Sequence, residues 1–137
     1  MKIVTVSPYE TSAADFFKEI QEAKAEIVVD VRLHASNQLC GYSKEGDLAY
    51  FVPAILKIPY VHDTRFAPKE ELLKSYISGG CGFERYREGY AQEIQAKEGI
   101  STFLKAYGSY QSIAIIGTAT KKRRSHAEVL KGLLEEK

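Results

Sequence analysis

Four short apolar runs rich in β-branched residues punctuate the chain: Lys2 to Val6, Glu26 to Val31, Ile58 to Val61 and Ser112 to Ile116. Their apolar residues fall largely at consecutive rather than alternate positions, the pattern of a strand covered on both faces. Between the first two, Ala13, Phe16, Phe17, Ile20 and Ala23 recur with helical period behind a cap at Thr11 or Ser12. Ser43 caps a second predicted helix to about Lys57, in which Pro53 should kink the helix or end its regular hydrogen bonding early.

Pro68 stands where a first-turn proline belongs, with Glu70 and Glu71 near the positive helix end and Leu72, Leu73, Tyr76 and Ile77 as its buried stripe. Gly79 and Gly80 stop that helix. Phe83, Tyr86, Tyr90 and Ile94 make the stripe of a longer one to about Lys97, and a short helix from Ser101 to Tyr107 leads into the last strand. Val129, Leu130, Leu133 and Leu134 mark the final helix. The predicted order is β-α-β-α-β-α-α-α-β-α. Strands alternating with helices imply parallel pairing, so the expected fold class is α/β: a single domain with a mostly parallel four-stranded central sheet flanked by helices. No repeat or Pro/Gly-rich linker divides the chain, and 137 residues suit one core. Strand order is not legible at this level.

Charge narrows the choice of partner. Nineteen Lys and Arg against eighteen Asp and Glu leave a net charge of +1, so no global field holds the protein on nucleic acid or an acidic membrane, and any anion site has to be local. Cys40 and Cys81 lack the spacing of a disulfide framework or thiolate metal site, which fits a reducing compartment. The opening run is too short for a signal sequence and no apolar stretch reaches a membrane span, so the cytoplasm is the expected location.

In open parallel sheets, ligands bind beyond the carboxyl ends of the strands, where the loops and helix N-termini converge. Four segments qualify: Ser7 to Thr11, Arg32 to Tyr42, His62 to Ala67 and Gly117 to Ser125. The last runs Gly-Thr-Ala-Thr-Lys-Lys-Arg-Arg-Ser from a buried strand into a helix. Its glycine permits close approach, and Thr118, Thr120, Lys121, Arg124 and the backbone N–H groups are donors for an anion. A solvated basic turn explains the same residues, since no P-loop pattern is present. His126 shares the inward stripe of Leu130 and Leu133, either as a general acid, base or anion donor or as a core-edge histidine satisfied by backbone. Asp30 and Arg32 alternate to one side of their strand. Asp30 suits catalysis or ligand orientation and equally suits acceptance of N–H bonds from a nearby loop, while Arg32 is a candidate anion ligand. Zinc held by Asp30, His34, His62 and His126 lacks motif spacing, so no metal is assigned and the cofactor is left unknown. Cys81 reads as a packed or exposed thiol before a nucleophile.

The segments Val29-Asp30-Val31-Arg32-Leu33, Gly41-Tyr42-Ser43-Lys44-Glu45, Phe66 to Tyr76, Phe83-Glu84-Arg85-Tyr86 and His126 to Leu130 occur in an order that resembles the domain of unknown function 488 family, in its YeaO-like branch, over nearly the whole chain. The resemblance implies a compact α/β domain and brings no established activity, cofactor or substrate. The family's Asp and Arg after the second strand map onto Asp30 and Arg32, and its polar helix start onto the region of His126. The chain departs from its relatives with Cys40 in place of an Arg, with Gly117-Thr118-Ala119 after the last strand, and with Ser125-His126-Ala127 where another branch has Cys-His-Arg. The Asp-Val-Arg strand end is also similar to a rhodanese segment, but Gly117 in the place of the cysteine removes sulfur transfer by that thiol. These residues lead to an expected site for a phosphorylated small molecule or nucleotide at the carboxyl rim, with Asp30 and His126 as catalytic candidates. A nucleic-acid-binding or non-catalytic protein-interaction domain is the alternative.

Overall fold

Four parallel strands, β1 (Lys2–Val6), β2 (Ile27–Asp30), β3 (Tyr60–His62) and β4 (Ser112–Ile116), form one sheet in the order β1-β4-β2-β3. The computed structural model describes residues 1–35 and 41–136. The helices are α1 (Ala13–Glu22), α2 (Glu45–Phe51), α3 (Glu70–Ile77), α4 (Phe83–Ala96), α5 (Gly99–Tyr107) and α6 (His126–Glu135). The α/β class and the element order agree with the expectation from the sequence. The last strand to form along the chain enters the middle of the sheet, between β1 and β2, which no local pattern announces.

The continuous apolar strands follow from two covered faces. Ile27, Val29, Ile113 and Ile115 pack with Tyr90, Ile94, Phe103 and Leu130 of α4, α5 and α6. Their alternates Val28, Ala114 and Ile116 pack with Phe16 and Ile20 of α1, Leu48 of α2 and Val52. Period-two alternation therefore sorts one strand into two cores rather than into core and solvent.

Local signals set most element ends. Ser12 caps α1 by accepting from the Asp15 N–H, and Gly79 leaves α3 at φ +85, where a side chain would be strained. The α-helical part of the second helix is shorter than the expected stretch from Ser43. It begins at Glu45 and passes at Pro53 into a π-helical turn over Val52–Leu56, as a residue without an N–H displaces the ladder from its i−4 register. Pro68, expected in the first turn of α3, instead precedes the helix: the N-cap is Lys69, whose N–H is taken at 2.9 Å by the Glu93 carboxylate of α4. A 3₁₀ turn at Thr64–Phe66 follows β3 and was not expected.

Helix α3 departs most from its pattern. None of its residues is fully buried, and Ile77 at the end of the anticipated buried stripe is 50% exposed. The helix does not lie on the sheet. It spans the carboxyl rim, so its apolar side borders open space.

Gly117 shows why β4 must be followed by a glycine. A Cβ there would sit 2.6 Å from Ala127 Cβ and closer still to Ser125 Oγ, because the start of α6 folds back against the strand end. Gly117→Ala is expected to destabilise the protein by about 1–3 kcal/mol, the cost of overpacking, read as a lower urea midpoint with an unchanged slope. An unchanged midpoint would show that the strand–helix junction relaxes freely.

A candidate ligand cavity at the carboxyl rim

Asp30 ends β2 fully buried, and its carboxylate is filled from its own chain. Oδ1 accepts from Arg32 N at 3.2 Å and Arg32 Nε at 2.9 Å, while Oδ2 accepts from Arg32 Nη2 at 2.7 Å and Tyr60 Oη at 2.6 Å. A carboxylate offers about four lone-pair sites, and four donors occupy them. Arg32 is only 1% exposed. Its Nη2 also donates to the Ser43 carbonyl at 2.6 Å, and its Nη1 lies 3.4 Å from Tyr9 Oη. Burial works against the guanidinium charge, but the hydrogen bond and charge of Asp30 outweigh it and hold Arg32 above its ordinary range. Tyr60 is likewise pushed up, by burial and then by the adjacent carboxylate.

The same device recurs at the end of β3. Asp63 accepts from Arg65 N, Nε and Nη2 at 3.2, 2.9 and 2.8 Å, and from Tyr107 Oη at 2.5 Å. Burial would raise the Asp63 carboxyl, yet the bonds from Arg65 and Tyr107 prevail and lower it. Here the arginine side chain is 57% exposed, so this second fork stands at the surface and the first is sealed. The repeated Asp-x-Arg at two strand ends was the available sequence signal for the pair.

Beside the sealed fork lies a cavity of about 790 Å³ at the carboxyl ends of β1, β2 and β4. Pro8, Tyr9 and Thr11 line it from the loop after β1, and Leu33 and His34 from the segment after β2. Pro68, Leu73, Tyr76 and Ile77 close it from the side of α3, and Thr118, Thr120, Arg123 and His126 from the loop into α6. The exposed side of α3 thus faces a cleft. Two clasps hold the helix there: His34 Nε2 and Glu70 Oε2 meet at 2.7 Å, and Tyr76 Oη donates to the Arg124 carbonyl at 2.9 Å while accepting from Arg124 N at 3.1 Å.

Of the residues anticipated from the sequence, Thr118, Thr120 and His126 belong to the cavity wall. Asp30, Arg32, Lys121 and Arg124 do not. Arg124 turns outward, forked on Glu128 at 3.0 and 2.8 Å with its guanidinium 4.2 Å from the Phe83 ring centre. The cation in the wall is Arg123, whose side chain has no carboxylate partner among the described residues. Four consecutive basic residues gave no sign of which one turns inward. Cys40 lies outside the described residues, and Cys81 is a partly buried free thiol.

The backbone donors of the basic loop are largely spent within the fold. Thr118 N donates to Ser125 Oγ at 3.0 Å, Lys121 N to Glu10 Oε1 at 2.7 Å and Lys122 N to Thr120 Oγ1 at 3.3 Å. Thr120 and Arg123 exchange backbone bonds of 2.9 and 3.3 Å. Anion recognition in this loop therefore falls to side chains.

His126 opens α6 and is 1% exposed. Its Nε2 lies 2.7 Å from the Val31 carbonyl, an acceptor, so that nitrogen carries the proton and Nδ1 carries the lone pair. Burial lowers the imidazole to about 4, against smaller opposing effects of the Val31 bond and Asp30. Among the described residues no group of histidine, cysteine and acidic side chains is arranged to hold a metal, and no helix is long and apolar enough to cross a membrane.

Fold and rim together define a parallel-sheet α/β protein with a ligand-sized cavity where its strands end. Over residues 12–134 the chain matches the model of the family described as Domain of unknown function DUF488, and it belongs to that family. No curated protein and no solved structure matches it.

Asp30→Ala leaves the buried Arg32 charge uncompensated and is expected to cost about 3–5 kcal/mol in urea unfolding. A loss below about 1 kcal/mol would mean that water reaches Arg32. Because the folded state depresses the His126 pKa, its contribution is complete above the unfolded value of 6.5 and is lost as pH falls from there toward about 4. The loss should approach about 3 kcal/mol and be absent from His126→Gln. Equal pH slopes for the two proteins over that window would remove His126 as the source.

Proposed function

We propose that this protein binds a phosphorylated small molecule or nucleotide in the rim cavity. The observation that carries the reading is the division of the cavity wall: Leu33, Leu73 and Ile77 offer apolar surface, and Thr118, Thr120 and Arg123, which has no carboxylate partner among the described residues, form a polar side together with Glu10, whose carboxylate is engaged by the Lys121 N–H. A cavity of about 790 Å³ suits a ligand of that size, within the usual range of about 300–1,000 Å³. The ligand's apolar or planar body rests on the first group. Its anionic group is held by the Arg123 guanidinium and the two threonine hydroxyls.

Asp30 and Arg32 support this site from behind. Four donors on one carboxylate leave Asp30 without a lone pair for a substrate proton, and Arg32 reaches the cavity only through Tyr9, whose hydroxyl it contacts. His126 is left as the titratable group of the wall from the original catalytic pair. The nucleic-acid alternative has only Lys121, Lys122 and Arg123 to draw on, as Arg124 is engaged by Glu128.

Thermal melts with inorganic phosphate, ribose 5-phosphate and a panel of nucleoside monophosphates test the reading. At least one should raise the Tm in a concentration-dependent way, and Arg123→Ala should weaken that ligand about 10-fold or more, the value of a charge-assisted bond. Flat melts with every member would refute it. Binding of single-stranded oligonucleotides that weakens steeply with salt, unaffected by phosphate, would favour the alternative.

A further inference from the structure

Among the described residues, one buried side-chain polar atom has no hydrogen-bond partner, and it is His126 Nδ1. His126 is one of the residues that line the cavity. Two tyrosine hydroxyls are committed elsewhere: Tyr90 Oη, on the ring packed edge-on against His126, donates to the Phe66 carbonyl at 2.6 Å, and Tyr76 Oη to that of Arg124. Leaving a buried acceptor unsatisfied is costly, and native proteins tolerate few such atoms.

We propose that His126 Nδ1 accepts a hydrogen bond from an O–H or N–H group of the cavity ligand and so selects ligands that carry a donor at that end. The inference rests on the cavity being a ligand site and adds the chemistry of its inner wall. The Val31 carbonyl fixes the tautomer: with the proton held on Nε2, Nδ1 can only accept. Burial keeps the ring neutral through the physiological range, so the acceptor is permanent there. A lone pair repels a phosphate oxygen and attracts a hydroxyl, imino or amino hydrogen. The ligand is therefore two-ended, with its donor against His126 and its anion toward Arg123.

The test needs no knowledge of the natural ligand. Phenol and anisole share a ring and an oxygen, but only phenol donates. Each is titrated into ¹⁵N-labelled protein and followed by NMR through the backbone signals of Leu33, Leu73 and Thr118 and through the His126 Nδ1 resonance. Phenol should bind roughly 5- to 150-fold more tightly than anisole, the span expected when a buried acceptor is satisfied. It should also move the Nδ1 signal upfield from the position of a free imine nitrogen, whereas anisole should not. In His126→Phe the preference should fall to about one. The Nδ1 readout on the wild-type protein decides the matter even if that variant does not fold. Equal binding of both probes with an unmoved Nδ1 signal overturns the proposal and leaves the cavity as a ligand site. If neither probe shifts the cavity signals, both the proposal and the cavity reading fall.

Discussion

A charge taken out of water must be met on every side, and the rim of this protein is arranged around that demand at Asp30 and Arg32. Removing the pair from solvent costs several kcal/mol per ion before any attraction returns it, so the geometry has to be complete. Two bonds from the guanidinium, one from the Arg32 backbone and one from Tyr60 complete the carboxylate, and Ser43 takes up a further guanidinium hydrogen. These contacts tie the end of β2 to β3 and to the chain entering α2. The position of the segment after β2, which brings Leu33 and His34 to the cavity, follows from them.

The loop into α6 is satisfied in the same way, by groups from neighbouring segments. Glu10, at φ 63 in the turn after β1, reaches across to the Lys121 N–H, and Ser7 Oγ donates to the Ala119 carbonyl at 2.7 Å. A loop that reads as an open anion cradle is instead stitched to its neighbours by groups that an anion would otherwise engage. What it offers outward is side chains. This shifts the candidate site away from a backbone nest and toward a cleft walled by residues from four segments, in which hydrocarbon predominates and a few polar groups set direction.

The cavity exists because α3 bridges the rim instead of settling on the sheet. A helix with no fully buried residue gains less from packing, and α3, with Leu72 against the core, is held also through its ends and its clasps: Glu93 at its cap, His34 on Glu70, and Tyr76 on the Arg124 backbone. Tyr76 also stacks on Tyr86 of α4 at 4.1 Å between ring centres, which joins the helix to the core on its far side. Elements held in this way belong to the least stable part of a fold, and ligand sites are commonly built from such parts.

The chain by itself determined where its elements lie. Strands β1 and β4, the Ser12 cap, the break at Pro53 and the stop at Gly79 were legible because periodicity, caps and backbone freedom are properties of neighbours in sequence. The family was legible for the same reason, as an order of short segments. Tertiary structure alone decided the strand order, the sealing of Asp30 against Arg32 and Tyr60, the choice of Arg123 over Lys121 and Arg124 as the cavity cation, and the half-buried stripe of α3. Each depends on a partner far along the chain: Glu10 meets Lys121 across 111 positions, and His126 meets Val31 across 95. A residue's type states which bonds it can make, but which of them remain free for a ligand is known only once the fold has used the others.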